Sequence, residues 1–405
     1  MKAVVLAAGK GTRLQPITSH RPKVMVPIAN KPLLEHIIST AKKAGITEFI
    51  FVISSLKNQI QDYFKDGSKW KVSIEYVDQQ KPMGTAHAIK EVEKRISDRF
   101  IVLSGDTLTS RKDITVLSKK KMPTIGITRV DNPSDYGAVE TEKTNLLCLH
   151  EKTSHPPSHM INTGMYLLDN TIFDAINQTK PSTRKEYEIT DSFNWMINKG
   201  QKIKTQMINT WVDISRPWDI LNANKYVLQE MKKSRIKGKI DDHVFIEKPV
   251  YIGENTRVLS GSYIQGPVII GENCKIGPNC YIRPYTSIGD GCHIGNATEI
   301  KNTVLFEKSN CPHQNYVGDS VIGSHCNLGA GTKIANLRLD KKEIKVTVGE
   351  KKIQSNRRKL GCIMGDEVQT GINAQINPGT IIGSNSFIGP GSLASGTIHQ
   401  KSRIL

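Results

Sequence analysis

The chain has 405 residues, with 56 Lys and Arg against 38 Asp and Glu, a formal charge of +18 and only 6% aromatics. That length suits two or three domains, and an apolar content of 38% excludes intrinsic disorder. No apolar run approaches the ~20 residues that span a bilayer, so an integral membrane protein is excluded and a cytoplasmic location is expected; residues 3–8 are too short for a signal h-region and read as a first strand.

From the N-terminus, short β-rich runs at 3–7, 49–53, 72–76, 100–103, 124–128 and 165–168 alternate with helical patterns at 33–44, 85–93 and 189–198. This alternation predicts an α/β, Rossmann-like domain with a mostly parallel sheet. The first strand runs into Gly9-Lys10-Gly11-Thr12-Arg13-Leu14. Glycines there let successive backbone N–H groups approach phosphate oxygens. The wider pattern continues as Pro16-x-Thr18-x-x-x-Pro22-Lys23, and the spacing to Lys23 separates it from a Walker A loop and from a dinucleotide fingerprint. A helix at 217–233 leads out of this domain. The boundary is placed near Gly238, giving domains 1–238 and 239–405.

Beyond that boundary an aliphatic or aromatic residue recurs every sixth position from Ile246 through Ile300 to Phe306. A new register holds Ile322, Leu328 and Ile334, and the pattern returns at Ile376, Ile382 and Ile388. The position four after each is small or β-branched and takes Cys274, Cys280, Cys292 and Cys326. A hexapeptide period predicts a parallel β-helix of three-sided coils, with the aliphatic residue stacked inward. The cysteines read as filling, since no CxxC pair suggests a metal site. The repeat breaks after Phe306 and again over 337–363, and loops leaving a solenoid are where sites tend to lie.

Charge is uneven: residues 1–225 carry a net +10, and 341–359 carries eight basic and two acidic residues. No basic run is interleaved with aromatics as in a nucleic-acid platform. Phosphorylated small molecules are the expected partners, without nucleic acid or membrane.

The front-half pattern resembles the sugar-1-phosphate nucleotidylyltransferase family. Further matches are Gln79-x-x-x-x-Gly84-Thr85-Ala86, Ser104-Gly105-Asp106, Tyr136-Gly137, Asn162-Thr163-Gly164 and Trp211-x-Asp213. The resemblance implies attack of a sugar-1-phosphate oxygen on the α-phosphorus of an NTP (UTP or dTTP), with release of pyrophosphate. It implies that Arg13 meets the departing pyrophosphate and Lys23 the α- and sugar phosphates. Asp106 and Asp213 would hold Mg2+. Gly9, Gly11, Thr12, Gln79, Gly84, Thr85, Gly137, Glu151 and Asn162 would contact substrate, although Glu151-Lys152 lacks the Pro that follows in the family.

The back half resembles the acetyltransferase domain of the bifunctional N-acetylglucosamine-1-phosphate uridylyltransferase/glucosamine-1-phosphate acetyltransferase family, in its shorter archaeal branch. The matches are Tyr281-Ile282-Arg283-Pro284, Glu299-x-Lys301, His313-x-x-Tyr316-x-Gly318-Asp319, Asn327-x-Gly329-Ala330 and Asn336. The resemblance implies a left-handed β-helix, a homotrimer with acetyl sites between subunits, and acetyl-CoA as co-substrate for a hexosamine 1-phosphate. His313 is the expected general base, because imidazole accepts a proton near neutral pH. Arg283 and Lys301 would bind the sugar phosphate, Tyr316, Asn327 and Asn336 the sugar and acetyl side, and Ala330 the CoA. The family's serine beside the thioester aligns with Asp366, and its tyrosine after Asn336 is Leu337. The rival reading is a nucleotidylyltransferase whose β-helix only assembles or regulates it.

Overall fold

A computed structural model describes residues 1–348 and 351–405. Its contacts divide the chain into two compact units: Met1–Lys10, Pro22–Met25 and Leu33–Asp213 in one, Gly11–Arg21, Val26–Pro32 and Ile214–Leu405 in the other. Residues 214–238, expected with the first domain, group with the second unit.

The first unit is built on a nine-stranded sheet. Its order is Ser73–Asp78, Glu48–Ile53, Lys2–Leu6, Phe100–Ser104, Met160–Leu168, Thr124–Arg129, Lys204–Met207, Asn145–Glu151, Gly137–Glu142. The first four strands are parallel. The inner three of these, Glu48–Ile53, Lys2–Leu6 and Phe100–Ser104, are near-continuous apolar runs because both faces are covered, and Ala3, Val4 and Val5 are fully buried. The expected mostly parallel sheet is instead mixed. Met160–Leu168 runs antiparallel to both neighbours, and Gly137–Glu142 and Asn145–Glu151 form a hairpin. Antiparallel neighbours need only a short turn, so the Gly137–Glu142 and Asn145–Glu151 hairpin has no helix between its strands to mark it in sequence. The parallel part sets the site, since ligands of open α/β sheets bind outside the carboxyl ends of the strands. Leu6 leads to Gly9, Asp78 to Gln79, and Ser104 to Asp106 at those ends.

In the second unit three parallel sheets of nine, nine and eight short strands stack coil upon coil. The inward ladder is continuous: Ile264, Ile282, Ile300, Val317, Ile334 and Ile376 follow one another at 0–2% exposure. Truncating one such residue to Ala should cost about 2–5 kcal/mol, because its neighbours cannot collapse into the gap. The small position behaves as expected. The Cys274, Cys292 and Cys326 thiols donate to the carbonyls of Gly289, Phe306 and Gly365, each at 3.1 Å, and burial raises the Cys326 thiol to about 12. No disulfide forms among the described residues.

One reading of the repeat is corrected. Phe306 is not the last member of the inward ladder: Leu305 pairs with Ile288 and fills the core, because one coil is a residue short between Ile300 and Leu305. The 341–359 segment, where the sequence leaves the repeat, is paired and partly buried in the part described. Lys345–Val348 and Lys351–Gln354 form a hairpin, Ile344 and Val346 are buried, and Thr397 Oγ1 donates to the Thr347 carbonyl. Residues 349 and 350 lie outside the described residues.

Candidate functional sites

In the first unit, Lys23 opens the short 3-10 turn Lys23–Met25 and is only 8% exposed. Its Nζ lies 2.5 Å from Asp106 Oδ2, and Ser104 Oγ donates to Asp106 Oδ1 at 2.5 Å. Gly105 makes this possible: its N–H donates to the Leu6 carbonyl, and a Cβ there would sit 2.5 Å from that oxygen. Burial by itself would raise the Asp106 carboxyl, but the Lys23 ammonium and the Ser104 and Thr107 hydroxyls hold it below the usual carboxylate range. Asp213 ends the strand Trp211–Asp213, which pairs with Thr107–Thr109 so that Asp213 faces Thr107, the residue after Asp106. Tyr136 Oη donates to Asp213 Oδ2 at 3.2 Å. The two-stranded ladder thus sets Asp213 opposite the residue that follows Asp106.

The other expected contacts line this unit's strand ends. Gln79 is buried and its Nε2 lies 2.8 Å from His87 Nδ1. Gly84 and Thr85 open the helix Thr85–Lys90, and Thr85 Oγ1 accepts from Ile189 N. Gly137 pairs across the hairpin with Glu151. Asn162 Nδ2 donates to the Tyr166 hydroxyl, where the strand slips its register with Thr124–Arg129. Sequence reasoning missed Arg184, whose Nη2 lies 3.1 Å from Glu151 Oε1 and also meets the buried Glu188. Gly9 belongs to this unit, whereas Gly11, Thr12 and Arg13 group with the second. There Gly11 adopts φ 67°, Thr12–Leu14 forms a 3-10 turn, and the Arg13 side chain is exposed.

The β-helix residues fall into registered columns. Tyr281, Glu299, Tyr316 and Lys333 occupy one position of successive coils, and Lys301 and Gly318 occupy another. Arg283 Nη1 lies 2.8 Å from Glu299 Oε1, and its guanidinium stands 5.5 Å from the centre of the Tyr281 ring. Its Nε is buried without a partner among the described residues. The Glu299 contact raises the Arg283 guanidinium further, and burial with Glu299 nearby raises the Tyr316 hydroxyl.

Asp319, quoted only as a motif letter in sequence, is the hub. It is 3% exposed, with φ 51°. Its carboxylate accepts from Lys301 Nζ at 2.9 Å, Asn302 Nδ2 at 2.7 Å and Asn336 Nδ2 at 2.6 Å. Asn336 Nδ2 also lies 3.1 Å from Tyr316 Oη. These groups meet over Gly318, where a Cβ would lie 2.6 Å from Asn336 Nδ2 and 2.8 Å from Tyr316 Oη. The fold thus joins Lys301, Tyr316 and Asn336, three of the expected site residues. His313 stands at an adjacent corner, exposed, with Asn296 beside it in the coil ladder. Its carbonyl accepts from Gly331 N, next to Ala330. Asn327 pairs with Asn310 on the sheet before that corner. Asp366 is buried and committed to other partners.

Comparison with known proteins gives three family matches along the chain. Residues 2–230 match the family model described as nucleotidyl transferase, 264–372 the GMPPB C-terminal domain, and 361–394 the bacterial transferase hexapeptide repeats. A "Bifunctional protein GlmU" of Methanococcus maripaludis strain S2 is 42% identical over 405 residues, covering 99% of this chain and 96% of that one. A "Bifunctional sugar-1-phosphate nucleotidylyltransferase/acetyltransferase" of Sulfurisphaera tokodaii is 42% identical, covering 98% and 97%. Among solved structures, a putative glucose-1-phosphate thymidylyltransferase from Bacillus anthracis, in complex with sucrose, matches with a TM-score of 0.52 and 28% identity, over 58% of this chain and 98% of its own.

Proposed function

The chain belongs to the GlmU-type family of bifunctional sugar-1-phosphate nucleotidylyltransferase/acetyltransferases, and from that premise we propose that it N-acetylates a hexosamine 1-phosphate and couples the sugar phosphate to a nucleotide. The observation that carries both activities in one chain is the polar cluster around Asp319. A β-helix serving only assembly has no need of a buried carboxylate holding Lys301 and Asn336.

In nucleotidyl transfer, a sugar-1-phosphate oxygen forms a bond to the α-phosphorus of UTP or dTTP as the bond to the β-phosphate bridging oxygen breaks and pyrophosphate leaves. Such a reaction asks for in-line positioning and charge neutralisation. Lys23 meets the α- and sugar phosphates, and Arg13 the departing pyrophosphate. Gln79 and Gly84 lie on the base side, and Gly137, Glu151 and Asn162 on the sugar side. Asp106, held ionised by Lys23, and Asp213, aligned opposite Thr107, suit Mg2+, which typically takes one or two carboxylates plus substrate phosphates. When bound, the ion lowers the phosphate charge.

In acetyl transfer, the neutral amine attacks the thioester carbonyl of acetyl-CoA, the C–S bond breaks, and CoA leaves. His313 takes the amine proton. Arg283, with its buried unpartnered Nε, and Lys301 receive the sugar phosphate. Tyr316, Asn327 and Asn336 orient the sugar and acetyl group, and Ala330 lies on the CoA side. The β-helix is the proposed trimer element, and the cytoplasm the proposed location; no helix among the described residues is long and apolar enough to cross a membrane.

One assay tests the reading: CoA release and pyrophosphate release from the full chain, over glucosamine-, galactosamine- and N-acetylglucosamine-1-phosphate with UTP and dTTP. Release of both products supports it. Pyrophosphate release without CoA release from either amino sugar would leave only the nucleotidyl half.

A further inference from the structure

Phe306, which lies outside the inward ladder, and Asp366 meet the same side chain, Arg21. Asp366 follows the strand Cys362–Met364 and is 5% exposed. Its Oδ1 accepts from Arg21 Nη2 and from Ser324 N, both at 2.9 Å, and its Oδ2 lies 3.1 Å from His20 Nδ1. Its own N–H donates to Ser384 Oγ. The Arg21 side chain is itself only 13% exposed. Nη2 also donates to Ser324 Oγ at 3.0 Å, and the guanidinium stands 4.9 Å from the centre of the Phe306 ring. With Leu305 occupying the ladder, the Phe306 side chain is available to Arg21.

From Arg21 a continuous path of hydrogen bonds runs back to the glycine-rich turn. Arg21 Nη1 donates to the Ile17 carbonyl, Ile17 N to the Leu14 carbonyl, and Leu14 N to the Gly11 carbonyl. Thr18 Oγ1 also donates to the Gly11 carbonyl, at 2.7 Å. Arg13 sits on the 3-10 turn at the end of this path. A buried ion pair with every carboxylate partner specified holds one geometry, because breaking it strands an uncompensated charge.

We propose that Asp366, a β-helix residue, is a positioning residue for nucleotidyl transfer: through Arg21 it holds the loop Gly11–Arg21 and so sets the place of Arg13. This rests on the reading of Arg13 as the pyrophosphate-binding cation. It makes the first activity depend on a side chain 345 positions downstream in sequence.

The test uses the full chain and follows pyrophosphate release and CoA release together in Arg13→Ala, Asp366→Ala, Asp366→Asn, Arg21→Ala and the Arg21→Ala/Asp366→Ala double variant. A misplaced group costs on the order of 10- to 100-fold. Asp366→Ala is expected to lose that much in kcat for pyrophosphate release, with KM for the NTP little changed and CoA release at the wild-type rate. The double variant should be no worse than the poorer single one, since both remove the same link. Asp366→Asn, whose amide oxygen still accepts from Arg21, should recover part of the rate, and it carries the test if the alanine variant does not fold. Wild-type pyrophosphate release in Asp366→Ala and Asp366→Asn, beside a dead Arg13→Ala, overturns the proposal. A parallel fall of both activities also overturns it, by showing general destabilisation. Wild-type release in Arg13→Ala overturns the reading of Arg13 instead.

Discussion

Each half of the molecule sets a lysine against an aspartate, and the two pairs are built differently. Lys23 and Asp106 are 83 residues apart and meet because the end of the strand Phe100–Ser104 delivers Asp106 and the 3-10 turn Lys23–Met25 delivers Lys23. Lys301 and Asp319 are 18 apart and meet because one coil of the β-helix returns the chain to the same corner. The Asp106 side chain stays 34% exposed, whereas that of Asp319 is 4% exposed and shut in by Asn302 and Asn336. An open carboxylate can exchange its lysine for an arriving cation. A closed one can only orient the groups around it. On that difference the Asp106 carboxylate suits an arriving ligand, and the Asp319 carboxylate suits the orienting of Lys301, Asn302 and Asn336.

The comparison can be broken by mutation. His313→Ala should lower CoA release by about 10²–10⁴-fold, the usual range for a general base, while pyrophosphate release stays at the wild-type rate. Lys23→Ala should do the reverse, lowering pyrophosphate release on the order of 10²–10³-fold as a preorganised charge is lost, with CoA release intact. Asp319→Ala should destabilise the fold by about 1–3 kcal/mol, because it leaves the Lys301, Asn302 and Asn336 donors without their acceptor. Chemical denaturation measures this, and an exposed-pair effect below about 1 kcal/mol would refute the closed role.

The smallest effect is in pH. Asp106 titrates below its ordinary value of about 4, so its contribution to stability is fully present above that pH and is lost as pH falls through the lower, folded value. The acid limb of an unfolding-midpoint curve should flatten in Lys23→Met, since the main cause of the lowered value is gone. An unchanged acid limb would count against the pair.

Much of this was legible in the chain. Strand Lys2–Leu6 and the glycine turn after it announce themselves through a buried apolar run and its abrupt end. The hexad pattern yields the β-helix because each inward residue must stack on the next, so period and fold are the same fact. Arg283, Lys301, Tyr316 and Asn336 could be named through the family resemblance that their motifs carry. The short helices Lys57–Phe64, Arg111–Ser118 and Thr171–Gln178 passed unread, since two turns of mixed residues carry little periodic signal. The hairpin within 341–359 was obscured by its charge, although Ile344 and Val346 are the residues that fasten it.

What the sequence by itself determined is whatever depends on neighbours along the chain: backbone register, strand ends, the repeat and its inward face. What only the tertiary structure decided is which polar group meets which across long separations. Asp319 and Asp366 are both aspartates at β-helix corners, and nothing local distinguishes them. One closes around Lys301 and Asn336, the other around Arg21 and His20. A buried carboxylate must be satisfied by some donor, but the identity of that donor belongs to the packing of distant segments, where local propensity carries no information.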